Sequence, residues 1–255
     1  MIFSQTAVKD FEKETTCPFR WKSQWVDRAF RLPSSEDMER GKYFEQLFLG
    51  ASAIGDEGPA EVGKLANGKK PIDILRIEAQ AERAKRLFDP VDPDYLGLTI
   101  VGTQIKLSDG TREGTIDIEC RDADNVPWVL DVKLTKDLTS DRTQYGWGND
   151  WSELDLLQQL HYEALYEFNT GVRPKMGLLV FDYSPQKRIE FGEIIITDAK
   201  RKQKELRFNS AIEAYNLYEE NGWIKLPSLK ECDSCPLTCD KRMHQSPIVK
   251  KKINY

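Results

Sequence analysis

Gly114-Thr115-Ile116-Asp117-Ile118-Glu119-Cys120 and Trp128-Val129-Leu130-Asp131-Val132-Lys133-Leu134 are the two stretches whose reading decides the fold. Both are rich in β-branched residues, and turn chemistry at residues 122–125 separates them, so they predict a hairpin. Side chains alternate along a strand, which puts Asp117 and Glu119 on one face and Ile116 and Ile118 on the other. The same rule places Asp131 and Lys133 together. Across the hairpin, Asp117 and Asp131 then come close to each other. Two carboxylates so near repel unless a cation lies between them. Hard oxygen donors suit Mg2+ or Mn2+, which keep several waters and bind phosphate oxygens. Such a cation can activate water and polarise a phosphodiester. A lysine two residues beyond a ligand can reach the same water, or the charge developing on phosphorus.

Outward from the hairpin, further strands are expected over residues 96–107, 176–183 and 189–196. Ser34-Ser35-Glu36-Asp37 has the small capping residues and early acids of a helix start, and that helix carries Gly41, Glu45 and Phe48. Residues 55–70 lack a period and read as a loop, as do the polar residues 136–150. After Pro71, the residues Ile74, Ile77, Ala81, Ala84 and Phe88 make one helical stripe. A second amphipathic helix is expected over residues 151–168, with Leu154, Leu157, His161, Ala164 and Phe168 on its apolar face. A last helix runs over residues 198–220. Helices, three strands, a helix, two strands and a helix predict a mixed α/β fold with a central mixed sheet flanked by helices. The expected division is a helical region over 1–95, a core over 96–225 and a cysteine-bearing basic tail over 226–255.

At 255 residues, 40% hydrophobic and 31% charged, the chain has the make-up of an ordinary globular protein. No apolar run approaches the roughly 20 residues of a membrane span. The opening MIFSQTAVKDFEKE is too polar for a signal peptide, so a cytoplasmic location is expected. The net charge of −5 does not exclude nucleic acid, because phosphate contacts need only a local basic surface. Two such patches stand out: Lys200, Arg201, Lys202, Lys204 and Arg207, and Lys241, Arg242, Lys250, Lys251 and Lys252.

Of the five cysteines, Cys232, Cys235 and Cys239 form a C-x2-C-x3-C run. Thiols crowded in this way read as ligands of Zn2+ or an iron–sulfur cluster, with Cys17 as the fourth. Cys120 reads as a small buried hydrophobe, and His161 as a packed core histidine.

The segments around Asp117 and Asp131 resemble motifs II and III of the PD-(D/E)XK nuclease superfamily. Gln158 and Tyr162, four apart on one helix face, match the Q-x-x-x-Y motif of its RecB-like branch, which includes CRISPR-associated adaptation nucleases and phage exonucleases. Gly41-Lys42-Tyr43-Phe44-Glu45 resembles that branch's first motif, although Glu45 stands where histidine is common. Asp131 replaces the glutamate usual among the adaptation nucleases. The resemblance implies a restriction-endonuclease-like core and a Mg2+- or Mn2+-dependent deoxyribonuclease acting on single-stranded DNA or duplex ends. Recombination or replication proteins would be its partners. It implies Asp117, Asp131, Glu45 and the carbonyl of Val132 as metal ligands. Lys133 would activate water, and Gln158 and Tyr162 would hold the nucleic acid or Lys133. One cysteine before motif I and three at the C-terminus is the layout of the iron–sulfur members, here Cys17 with Cys232, Cys235 and Cys239, although the last spacing is short for that group. The alternatives are an inactive DNA-binding subunit that keeps the fold, and an interaction module stapled by zinc or a cluster.

Overall fold

A computed structural model describes residues 3–12, 17–30, 34–53, 58–60, 62–63, 65, 67–138 and 154–223. Its helices are α1 (Gln5–Phe11), α2 (Pro18–Trp21), α3 (Glu36–Leu49), α4 (Ile72–Arg86), α5 (Leu157–Thr170) and α6 (Asp198–Asn221). Its strands are β1 (Thr99–Ser108), β2 (Glu113–Arg121), β3 (Pro127–Thr135), β4 (Lys175–Asp182) and β5 (Ile189–Ile194). The five strands form one mixed sheet in the order β1-β2-β3-β4-β5. Only the β3–β4 pair is parallel, and α5 makes the crossover that a parallel pair requires. The mixed α/β fold read from the sequence is the fold the chain adopts.

Two compact units account for the described residues: those between 34 and 204, and those between 3 and 30 together with 205–223. The second unit joins α1 and α2 to the greater part of α6. Long-range aromatic contacts build it. Trp21 is fully buried, stacks on Trp223 with centroids 6.0 Å apart, and meets Phe11 edge-on at 4.9 Å. Its indole N–H donates to the Ala7 carbonyl at 2.8 Å. Arg207 pairs with Glu12 at 2.6 Å.

In the larger unit, α3 and α4 cover one face of the sheet. Ser35 caps α3 by accepting from the Met38 N–H at 3.2 Å. Phe44, Phe48, Ile74, Ile77, Ala81 and Ala84 pack there on Ile118, Cys120, Leu130, Val132, Leu179 and Phe181. The α4 stripe is therefore as read, and Cys120 is a buried hydrophobe whose thiol burial pushes up to about 12. The opposite face packs Ile116, Val129 and Met176 on Tyr162, Leu165 and Tyr166 of α5.

Two expectations change. Phe168, expected on the apolar stripe of α5, is 66% exposed. The helix instead buries Leu157, Gln159, Leu160, His161, Tyr162, Glu163, Leu165 and Tyr166 round most of its girth. The sheet takes one side, and Arg201 of α6 reaches Glu163 at 2.7 Å on another. Second, Ile116 and Ile118 do not share a face: one joins the α5 cluster, the other the α3–α4 cluster. The ladders explain it. The β1–β2 register shifts between Ile100 and Gly102, Gln104 beside Asp117 has φ +51° in the left-handed region, and β2–β3 pairing ends at Ile118–Leu130. Strict alternation therefore fails around Asp117.

Gly114 has a packing role. A Cβ there would lie 2.8 Å from Tyr162 Cε1 and 3.3 Å from Leu165 Cδ1. Gly114→Ala is expected to destabilise the protein by about 1–3 kcal/mol, the usual range for overpacking. Denaturant melts should show a smaller penalty when Tyr162→Ala removes the ring, because the two sites share one contact.

Among the described residues no helix is long and apolar enough to cross a membrane.

Candidate active site

The end of the β2–β3 ladder decides where the polar groups meet. Below Ile118–Leu130 the strands separate, and the Asp117 carboxylate fills the opening by accepting the Val132 backbone N–H at 2.8 Å. Asp131, one residue earlier on β3, has no exposed surface. Its Oδ1 accepts from Lys133 Nζ at 2.6 Å and its Oδ2 from Gln159 Nε2 at 2.8 Å. Gln104 Nε2 stands 3.4 Å from Asp117 Oδ1. Glu45, on α3, is near enough for Asp131, Lys133 and Asp117 to act on it or be acted on by it.

The charges are strongly coupled. Burial raises the Asp117 carboxyl well above the usual range, Asp131 and Glu45 raise it further, and Lys133 opposes them. Burial and Asp131 likewise raise Glu45. Burial alone would pull the Lys133 ammonium down, but Asp131 and Asp117 more than offset it, so Lys133 stays charged. Burial, then Asp117 and Asp131, raise the Tyr162 phenol, which stays protonated. Three carboxylates lie round the Lys133 ammonium, with Lys42 acting on Glu45 as well, and that donor set of hard oxygens with excess negative charge fits a small divalent cation. As the side chains stand, no group of three or more His, Cys, Asp or Glu among the described residues is arranged to hold an ion. Lys133 Nζ occupies one Asp131 oxygen, so a bound cation would take over part of its counter-charge.

Of the residues read from the sequence, Glu45, Asp117, Asp131, Val132 and Lys133 come together. Gln158 and Tyr162 bond each other at 3.0 Å, and Tyr162 feels both aspartates. The Val132 group that engages Asp117 is its N–H. Cys17 is half-buried at the start of α2, and Cys232, Cys235 and Cys239 lie outside the described residues. The first basic patch is largely engaged: Arg201 pairs with Glu163 and Asp198 at 2.7 Å, Lys204 is 3% exposed, and Arg207 pairs with Glu12. That leaves Lys200 and Lys202 as its exposed members, because a run of basic residues on a helix points in several directions and two of these five meet acids. The second patch lies outside the described residues.

Gln104 and Gln159 were not read as site residues. Gln159 adjoins the motif glutamine, yet only the packing of α5 against β3 shows which of the pair faces Asp131.

His161 is buried, and its Nε2–H donates to the Glu113 carbonyl at 2.8 Å. Burial lowers it from 6.5 to about 4, so it is a neutral core group. The unfolded chain then takes up a proton near pH 6.5 while the folded chain does not. Stability due to neutral His161 is complete above pH 6.5 and falls as pH drops toward 4, by up to on the order of 3 kcal/mol. Urea midpoints at pH 7 and pH 5 should show a smaller acid loss for His161→Gln than for the wild type.

No protein-family model matches the chain, and no curated protein does. A crystal structure of a Eubacterium rectale protein named as a candidate exonuclease aligns with 99% of this chain and 91% of its own, at TM-score 0.62 and 17% identity. A second solved structure, SSO0001, aligns with 94% of this chain and 86% of its own, at TM-score 0.36 and 14% identity. The first likeness shows a shared fold. The second is too low to carry weight.

Proposed function

We propose that this chain is a Mg2+- or Mn2+-dependent DNA nuclease of the RecB-like PD-(D/E)XK type, acting as an exonuclease. The observation that carries the reading is the Lys133–Asp131 pair beside buried Asp117 where β2 and β3 separate, with Glu45 facing it from α3. The name of the Eubacterium rectale structural neighbour supports the same class of activity.

Asp117, Asp131, Glu45 and the Val132 carbonyl would hold the cation, which supplies Lewis acidity and charge neutralisation at a phosphodiester. Lys133, kept charged by both aspartates, orients the attacking water and offsets charge developing on phosphorus. Tyr162, kept protonated, offers a hydrogen-bond donor. The Val132 N–H fixes the Asp117 carboxylate.

The chain would also hold a 4Fe–4S cluster through Cys17, Cys232, Cys235 and Cys239, with structural Zn2+ as the alternative. Support comes from the unit that contains Cys17. Trp223, nine residues before Cys232, stacks on Trp21, four residues after Cys17. Nine residues reach up to roughly 30 Å, ample for the trio to meet Cys17.

The test is incubation with end-labelled single- and double-stranded DNA. Cleavage with Mg2+ or Mn2+ that stops with EDTA is expected. Salt-sensitive DNA binding without cleavage under either ion would identify an inactive DNA-binding subunit instead.

A further inference from the structure

Of the two adjacent glutamines of α5, Gln159 faces Asp131. Its side chain is 4% exposed, and its Nε2 donates to Asp131 Oδ2 at 2.8 Å. Gln158 instead donates to the Tyr162 hydroxyl. A carboxylate only accepts hydrogen bonds, so the NH2 end of Gln159 must face Asp131 and its carbonyl must point elsewhere. That carbonyl, Oε1, is buried and has no hydrogen-bond partner among the described residues. A buried acceptor left without a donor is unfavourable. The orphan lies on the side chain that grips the central carboxylate, which points to a donor arriving with a ligand.

We propose that Gln159 is a positioning residue for the candidate metal centre. Its amide N–H fixes Asp131 by Oδ2 and leaves Oδ1, now on Lys133, as the oxygen free to turn to a cation. Its Oε1 accepts a hydrogen bond from a water brought by the hydrated ion. Mg2+ and Mn2+ keep several waters when protein-bound, so the ion brings suitable donors. Outer groups of this kind typically change metal affinity or activity by about 10- to 100-fold. The inference rests on the nuclease reading and adds a residue that the Q-x-x-x-Y pattern does not assign.

The experiment measures Mn2+ binding by electron paramagnetic resonance and steady-state cleavage of labelled DNA, on the full chain. Gln159→Met should weaken Mn2+ binding about 10-fold or more and lower kcat by a similar factor, with KM for DNA little changed. Its melting temperature without metal should fall, because Asp131 Oδ2 loses its amide donor, so Mn2+ affinity is the readout that decides. A purely structural glutamine would lower the melting temperature in the same way and leave Mn2+ affinity unchanged. If the methionine variant does not fold, Gln159→Glu keeps the shape and must still alter the Mn2+ spectrum and lower kcat. Wild-type Mn2+ affinity and kcat in a folded variant overturn the role of Gln159 and leave the nuclease reading standing. A wild type that neither binds Mn2+ nor cuts DNA overturns both.

Discussion

Lys133→Ala is expected to lower DNA cleavage by about 100-fold or more while the chain still binds Mn2+, since a positioned proton carrier or charge stabiliser contributes on that scale. The ammonium acts on Asp131, Asp117 and Glu45 alike. Removing it leaves the fully buried Asp131 without its counter-charge, a change that typically costs about 3–5 kcal/mol in a buried pair. An added divalent ion replaces part of that charge. The variant should therefore melt lower than the wild type in EDTA and recover more than the wild type when Mn2+ is added. Asp117→Asn should behave in the opposite way. It relieves repulsion with Asp131 and Glu45, so the metal-free protein holds or gains stability, while cleavage and Mn2+ affinity collapse. Melts with and without Mn2+, run beside cleavage assays, check both variants. A lysine variant that cuts at the wild-type rate contradicts the assignment.

Cys17→Ser is expected to abolish assembly of the four-thiolate site and to lower thermal stability by several degrees. Closing a loop of more than two hundred residues limits the unfolded chain by on the order of 5 kcal/mol in the chain-entropy picture. Anaerobically purified wild type should be brown and lose colour on oxidation, and Cys120→Ser should keep the colour, since Cys120 is walled into the sheet core. Colourless protein with one zinc per chain would identify the zinc form. Metal-free anaerobic protein with four reactive thiols contradicts both.

Much of this architecture is legible in the sequence because the signals are local. The α4 stripe, the Ser35 cap and the β-branched runs of the sheet each follow from residues a few positions apart. So does the proximity of Asp117 to Asp131, set by a short hairpin. What local pattern cannot supply is the break in alternation at Asp117, where the left-handed Gln104 of the neighbouring strand lies alongside and the β2–β3 pairing ends. Gln159 needs the rotation of α5 over β3. The pairing of Arg201 and Arg207 with acids far along the chain turns an apparent basic patch into internal bridges. The joining of residues 3–32 with the end of α6 rests on aromatic contacts about two hundred residues apart.

The most direct measurement is a paired assay of wild-type protein and Asp131→Asn, purified identically and incubated with the same end-labelled DNA in Mg2+, Mn2+ or EDTA. Shortened products from the wild type with either metal ion, none in EDTA and none from the variant are the expected result. Equal cleavage by both proteins, or none by the wild type under any ion, would contradict a nuclease site at Asp117, Asp131 and Lys133.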